Sequence, residues 1–269
     1  MYSEHIVAYI DILGFRETVL TKTFDIVDDI YGEFNRSVKE GIKRSLYLLK
    51  PNPEKGVELD VKKVKVVYFS DCVIWSYPTK DITESEYFAF LIAVKTFFNG
   101  IQNMLFNKEI ATRGGISIGN LYLNENKIFG SGLVKAYELE KKAKYPRILI
   151  DEEIIRKLHP NLANFFTQIH FVPDGDLYYL NYFSDIILVN KNQEIDPRIK
   201  QMVLSAFIDP VVKIVNKGIH NSNESVQEKY EWLRTQLLSI KNLDYDLKEL
   251  DRTVVKTSLM RRIYHLLTK

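Results

Sequence analysis

Short β-prone runs and a long helical repeat alternate along the first part of the chain. The run His5–Ile10 is apolar and predicts a buried strand that ends at Asp11. Across residues 26–46 an apolar side chain recurs at every fourth position, which predicts an amphipathic helix. The stretch Asn52–Lys55, which lies among prolines, predicts a loop.

Two further β-prone runs, Val64–Phe69 and Val73–Tyr77, are separated by only a few residues that include Ser70 and Asp71. A connection this short leaves no room for a crossover, so the two runs are predicted to form an antiparallel hairpin. Asp71 lies at its tip.

The middle of the chain continues this interleaving of helices and strands. Thr83 and Glu86 have the spacing of a capping box and predict the start of an apolar helix that ends near Asn107. The elements expected after it are two strand-like runs (Ile110–Ile118 and Leu121–Phe129, with turn residues at 124–126), a helix (Gly132–Lys144) and a short strand (Arg147–Ile150).

This order predicts an α+β fold, in which helices cover one face of an antiparallel-rich sheet. After Asp151 we expect a short helix to Leu158 and a strand over Leu177–Tyr182. We place the sheet domain at residues 1–187 and a C-terminal helical extension at 188–269.

Two helix starts are predicted within the extension. Asp209 and Pro210 resemble an N-cap and a first-turn proline, although a helix beginning near Pro197 is equally open. Ser225 and Glu228 have the spacing of a second capping box.

Composition narrows the class of protein. The 269 residues carry 37 basic and 35 acidic side chains, and a net charge of +2 gives no reason to expect nucleic acid or a membrane as partner. The single cysteine, Cys72, excludes an internal disulfide, and the five histidines lack the spacing of zinc ligands. No uninterrupted apolar stretch approaches the roughly 18 residues of a membrane span. We expect a cytoplasmic protein.

Two carboxylates are the main candidates for chemistry. Asp11 and Asp71 each end a predicted strand at a turn, and adjacent strands would bring them within a few ångströms of each other. Carboxylate oxygens are suitable ligands for Mg²⁺, and a pair of such ions stabilises the attacking and the leaving oxygen atoms of a phosphoryl transfer. Ile12, Gly14 and Phe15 follow Asp11 and would present backbone N–H groups to phosphates.

Four segments resemble the catalytic domain of class III nucleotidyl cyclases: Tyr9–Phe15, Phe69–Asp71, Arg113–Gly119 and the helix with Leu139–Glu140. The resemblance extends from about Ile6 to Asp151. It implies a ferredoxin-like palm, and a homodimer with its active sites at the interface.

The same resemblance assigns the metal ligands and the reaction. Asp11 and Asp71 would hold two Mg²⁺ or Mn²⁺ ions, with the backbone carbonyl of Ile12 as a further ligand. The reaction implied is attack of a ribose 3′-hydroxyl on the α-phosphate of a nucleoside triphosphate, which releases pyrophosphate.

The sequence departs from adenylyl and guanylyl cyclases at the positions that recognise the purine. Val67 occupies the position at which those enzymes resemble one another in carrying a lysine or glutamate that contacts the purine. The position of their second polar residue for the purine falls near Lys127. Val134 and Glu138 replace their ribose-binding asparagine and transition-state arginine. The protein is therefore either an inactive homologue or a cyclase for another base, and retention of both aspartates favours activity.

Residues 130–140, together with Tyr68, most resemble the pyrimidine cyclases of the Pycsar anti-phage systems. This implies conversion of UTP, or less readily CTP, to a cyclic monophosphate that activates a separate effector protein. On this interpretation Tyr68 narrows the base pocket and Arg113 contacts the base or the phosphates. Arg16 would reach the triphosphate, and Lys141 would replace the missing helix arginine. A purine cyclase with an atypical pocket and a non-catalytic nucleotide sensor are the alternatives.

Overall fold

A computed structural model describes residues 2–48, 60–124 and 127–240, with the backbone alone for 44–48. The predicted loop at Asn52–Lys55 and the turn residues 125 and 126 lie outside the described residues. The chain divides into two compact units, one ending at Ser184 and the other beginning at Asp185.

The first unit is built on a single sheet of eight strands. The strands are β1 (Ser3–Ile12), β2 (Lys65–Phe69), β3 (Cys72–Pro78), β4 (Thr112–Asn124), β5 (Lys127–Phe129), β6 (Ile148–Asp151), β7 (Phe171–Asp174) and β8 (Leu177–Leu180). Their order is β2-β3-β1-β4-β6-β8-β7, and β5 pairs with β4. All these neighbours are antiparallel except β4 and β6, which run parallel. The predicted α+β fold with an antiparallel-rich sheet is confirmed.

Helices connect the strands of the first unit and make up most of the second. The first unit has α1 (Phe15–Thr21), α2 (Phe24–Leu48), α3 (Glu84–Phe106), α4 (Ser131–Ala143), α5 (Glu152–Arg156) and α6 (Pro160–Phe165). From its end onward the chain forms α7 (Ser184–Lys191), α8 (Pro197–Ile219) and α9 (Glu224–Leu238).

Helices lie on both faces of the sheet, so the expectation of helices on one face was wrong. On one face Ile6, Ile10 and other β1 residues form a core with α3, which is backed by α2. On the opposite face Val7 of β1 packs with Ala136 of α4. The physical reason is that alternate residues on both sides of β1 are apolar, so both of its faces must be covered.

The central helix α3 begins as predicted. The side-chain oxygen of Thr83 accepts a hydrogen bond from the Glu86 N–H at 3.1 Å, and Glu86 accepts one from the Thr83 N–H at 3.0 Å. The helix is long and apolar enough to cross a membrane by length and composition. Most of its apolar side chains are buried against the sheet, as expected of the central helix in a globular core.

Three strand predictions need correction. Ile110–Ile118 and the beginning of the next run form one continuous strand, β4, because β1 pairs with it without a break as far as Leu121. The strand β7 was missed; it is an edge strand that contains Pro173, and edge strands tolerate proline. The strand predicted to end at Tyr182 ends at Leu180.

In the extension the alternative helix start near Pro197 is confirmed, and the starts predicted at Asp209–Pro210 and at Ser225 were wrong. Asp196 caps α8, with its side chain accepting hydrogen bonds from the N–H groups of Arg198 and Ile199, and Pro210 lies inside that helix. Asn223 caps α9 by accepting a hydrogen bond from the Ser225 N–H at 3.0 Å, so Ser225 is already helical.

Candidate functional site

The end of β1 and the β2–β3 turn bring the two candidate carboxylates together. In the β1–β3 register Asp11 lies opposite Cys72, so Asp71 is next to it at the hairpin tip. The backbone N–H of Ile12 donates a hydrogen bond to the carbonyl oxygen of Asp71 at 3.2 Å. The side chain of Asp71 is within hydrogen-bonding reach of the Asp11 carboxyl group. Residues 60 positions apart therefore share one small site.

The electrostatics of this pair are unfavourable without a cation. Burial, the hydrogen bond that protonated Asp11 donates to Asp71, and the negative charge of Asp71 raise the pKa of Asp11 to about 8. The nearby carboxylate of Glu140 acts in the same direction, and the positive charge of Arg113 opposes it. Two adjacent carboxylates do not both ionise readily unless positive charge is supplied.

This donor set fits a hard divalent cation. Mg²⁺ and Mn²⁺ prefer oxygen ligands. The raised pKa of Asp11 indicates that the pair lacks neighbouring positive charge, which a divalent cation would supply. Within the described ranges no group of three or more His, Cys, Asp or Glu side chains forms a metal site. The pair would therefore need water, backbone or substrate oxygens to complete a coordination shell.

The glycine segment after Asp11 forms a turn into α1. Gly14 has a φ of 84°, a left-handed conformation that glycine adopts without strain, and its carbonyl accepts a hydrogen bond from the Thr18 N–H at 3.1 Å. Phe15 packs against the main core and Arg16 is exposed. Helix α1 has only seven residues, so its N-terminus alone is weak support for a phosphate site.

Arg113 lies directly opposite Asp11 in the β1–β4 register. Its Nη2 atom is 3.5 Å from Oδ2 of Asp11, while its Nε forms a closer ion pair with Oε1 of Glu140. Glu140 is 2% exposed, and burial raises the pKa of its carboxyl group while the charge of Arg113 lowers it. The structure thus brings Arg113 to the two aspartates and adds Glu140.

Glu140 was not among the predicted site residues. A signal for it exists in the sequence, since Gly132, Ala136 and Ala143 form a small-residue stripe at helical spacing and Glu140 falls four residues after Ala136. A carboxylate on the buried stripe of a helix needs a partner in the sheet.

Glycines of β4 explain how α4 comes close enough to deliver Glu140. A Cβ atom on Gly115 would lie 2.2 Å from the carbonyl oxygen of Ala136 and 2.5 Å from Cβ of Leu139. A Cβ atom on Gly119 would lie 2.8 Å from the backbone nitrogen of Gly132. The Arg113–Gly119 segment therefore combines a charged site residue with the smooth surface on which α4 rests.

The side chain of Lys141 contacts a neighbouring tyrosine of α4. Its Nζ is 4.3 Å from the centroid of the Tyr137 ring, a cation–π contact, and Tyr137 meets Tyr9 edge-on at 5.6 Å. Both tyrosines line the cavity described next.

A cavity of about 510 Å³ opens on the α4 face of the sheet. The register puts Val67 opposite Ile74 and Tyr68 opposite Val73, so Tyr68 lies on the other face of β2, toward the main core. The structure does not bring Tyr68 to this cavity. Its lining is mainly apolar and includes Tyr9, Val67, Phe69, Ile74, Val134 and Tyr137.

Comparisons with known proteins give structural similarities at low identity. No protein-family model and no curated protein sequence matches the chain. The adenylyl cyclase CyaB from P. aeruginosa aligns at 12% identity over 73% of this chain and 98% of its own, with a TM-score of 0.44. The guanylyl cyclase Cya2 aligns at 9% identity over 67% of this chain and 93% of its own, with a TM-score of 0.42.

A third similar structure is the monomeric guanylyl cyclase domain of the RhoGC fusion protein from the aquatic fungus Blastocladiella emersonii. It aligns at 15% identity over 66% of this chain and 95% of its own, with a TM-score of 0.44. Similarity at this level does not establish an activity for this chain.

Proposed function

We propose that this protein is a metal-dependent nucleotidyl cyclase whose substrate is a pyrimidine nucleoside triphosphate, UTP in preference to CTP. The observation that supports it most directly is the meeting of Asp11 and Asp71 at one strand end, with the pKa of Asp11 raised by burial and by its neighbour. A carboxylate pair of this kind is the protein's contribution to a two-metal phosphoryl-transfer site.

In the proposed reaction the ribose 3′-hydroxyl loses its proton to solvent water, and its oxygen attacks the α-phosphorus of the substrate. The new bond closes the 3′,5′-cyclic phosphate, the bond from the α-phosphorus to the bridging oxygen breaks, and pyrophosphate leaves. Two bound Mg²⁺ or Mn²⁺ ions would lower the pKa of the 3′-hydroxyl and offset charge at the phosphate.

The protein's own groups would hold and orient the reactants. Asp11, Asp71 and the backbone carbonyl of Ile12 are the proposed metal ligands. Arg16 and Lys141 are the proposed cationic partners of the phosphates, and positioning of the reacting atoms supplies much of the rate.

The pyrimidine assignment is supported by the base-recognition positions. Val67, which lines the cavity, cannot form the hydrogen bond that a purine-reading lysine or glutamate would make. The cavity volume is within the range of small-ligand sites, and its lining is mainly apolar. The resemblance of residues 130–140 to pyrimidine cyclases points the same way, whereas Tyr68 lies on the opposite face of β2 from this cavity and gives the assignment no support.

We further propose that the active form is a homodimer, with the cavity face covered by the second copy. Apolar side chains at the cavity are exposed in the single chain: Phe69 at 73%, Val134 at 55% and Tyr137 at 41%. Clustered exposed apolar surface marks an interaction site. The cyclic product would act in the cytoplasm on a separate effector protein in anti-phage defence, as the sequence resemblance implies.

The test is incubation of the protein with each of UTP, CTP, ATP and GTP plus Mn²⁺, followed by chromatography for cyclic nucleotide and pyrophosphate. We expect cyclic UMP as the main product, and its loss in Asp11→Asn and Asp71→Asn. Asp176→Asn, the same chemical change at an exposed turn, is the matched control. A purine product would refute the base assignment. Binding of a nucleotide without turnover would instead favour the sensor alternative. That alternative is supported by Val134 and Glu138, which replace the helix asparagine and arginine of the purine cyclases.

A further inference from the structure

The side chain of Arg113 is held between two carboxylates at unequal distances. Opposite charges that lie directly across an antiparallel strand pair are close enough to attract each other and stabilise the pair. Here Nη2 of Arg113 stays 3.5 Å from Oδ2 of Asp11, which is longer than the roughly 2.7–2.9 Å of a charge-assisted hydrogen bond. The closer contact is from Nε to Oε1 of Glu140. The guanidinium is thus committed mainly to Glu140.

The difference in burial explains why Arg113 pairs with Glu140 more closely than with Asp11. The side chain of Glu140 is 3% exposed, against 29% for Arg113 and 16% for Asp11. A buried carboxylate without a partner is strongly unfavourable, so Glu140 holds the cation it has. Because α4 rests on Gly115, the position of Glu140 relative to the sheet is fixed by backbone contact.

We propose that Glu140 is a positioning residue for the metal ligand Asp11: it keeps the guanidinium of Arg113 off the Asp11 carboxylate, which is then available to a divalent cation. This inference rests on the proposed function, which assigns Asp11 as a metal ligand. Without Glu140, Arg113 closes onto Asp11 across the strand pair and competes with the metal ion.

A simpler account must be separated from this one. Glu140 could strengthen metal binding only through its negative charge. Glu140→Asp separates the two, because it keeps the charge but shortens the side chain by one methylene group and so weakens its hold on Arg113. The double variant Glu140→Gln with Arg113→Met separates positioning from a purely structural role. It removes Arg113, which would compete with the metal ion, together with Glu140, which holds it away from Asp11.

The experiment is titration of the full chain with Mn²⁺ alone, followed by electron paramagnetic resonance of the free ion. We expect the Kd for Mn²⁺ to rise about tenfold or more in Glu140→Gln and in Glu140→Asp, the range for lost second-shell partners of metal ligands. We expect the double variant to return to within about threefold of wild type. Glu152→Gln, which removes a carboxylate paired with Arg156 on α5, is the charge-matched control and should leave the Kd unchanged.

Two results would overturn the proposal. Wild-type affinity in Glu140→Asp would leave only the charge of Glu140 as a cause, and a double variant as weak as Glu140→Gln would mean that Arg113 does not compete. If Glu140→Gln does not fold, as judged by circular dichroism, the Glu140→Asp and double variants decide the question. A wild type that binds Mn²⁺ but forms no cyclic nucleotide refutes the proposed function and leaves this inference standing; a wild type that binds no Mn²⁺ ends both.

Discussion

Two glycines of this chain should respond in opposite ways to the same substitution. Gly115 lies under α4, where an added Cβ would overlap the carbonyl oxygen of Ala136 at 2.2 Å and Cβ of Leu139 at 2.5 Å. Gly32 lies inside α2, where an added Cβ would meet nothing within 4 Å. Gly115→Ala therefore adds a methyl group where there is no space for it, and Gly32→Ala adds the same group where there is space.

The magnitudes follow from these contacts. An atom placed 2.2 Å from a backbone oxygen forces the helix off the sheet, and overpacking of this kind costs about 1–3 kcal/mol. The shift also pulls Glu140 away from Arg113, which places Gly115→Ala at the upper end of that range. An exposed helix-interior glycine replaced by alanine gains about 0.5–1 kcal/mol through the entropy of the unfolded chain. We expect the two variants to differ by about 3.5–4 kcal/mol in free energy of unfolding.

Urea unfolding followed by circular dichroism measures both variants against the wild type. A Gly115→Ala protein as stable as the wild type would refute the close approach of α4 to β4, and with it the physical reason given for the buried position of Glu140. A destabilised Gly32→Ala protein would refute the expected gain at an open helical position. A rise in the Kd for Mn²⁺ in Gly115→Ala, and not in Gly32→Ala, is the accompanying expectation.

Other variants probe the carboxylate pair, the hairpin turn and the helix cap. The folded protein keeps the Asp11 proton up to a pKa of about 8, far above the ordinary 3.8, so the stability of metal-free wild type should fall as the pH rises from 4 toward 8. In EDTA, the melting temperature of Asp11→Asn should change less with pH than that of the wild type. Mn²⁺ should raise the melting temperature of the wild type only. Ser70 has a φ of 52° in the turn before Asp71, so Ser70→Gly should gain about 0.5 kcal/mol in urea unfolding, and a loss would refute the strain. Thr83→Ala should cost about 1 kcal/mol by the same assay, and no change would mean that the capping box is dispensable.

The features predicted correctly are those with a local cause. The capping box at Thr83 depends on groups three residues apart, so a short stretch of sequence contains the whole signal. The tight turn at Ser70–Asp71 likewise fixes an antiparallel pairing by its length alone. The meeting of Asp11 and Asp71 followed from one further assumption, that β1 neighbours this hairpin, and the sheet order has β1 next to β3.

Where the cause is not local, the same sequence signal had two outcomes. Asp196–Pro197 and Asp209–Pro210 are identical dipeptides, yet only the first begins a helix. The Asp196 side chain caps α8, whereas Asp209 accepts a hydrogen bond from the hydroxyl group of Ser205 one turn before it. The second proline is tolerated because buried apolar residues on both sides of it keep the helix packed.

Strand alternation bears directly on base selection. Successive residues of a strand point to opposite faces of the sheet, so Tyr68 does not share the orientation of its two neighbours in β2. Val67 and Phe69 lie on the cavity face of β2, and Tyr68 between them lies on the other. The test of pyrimidine selectivity therefore belongs first on Val67: Val67→Lys restores the polar group that purine cyclases use there. If the proposal holds, this variant should lose turnover of UTP relative to ATP, while Tyr68→Phe, which keeps the ring, should leave the ratio unchanged.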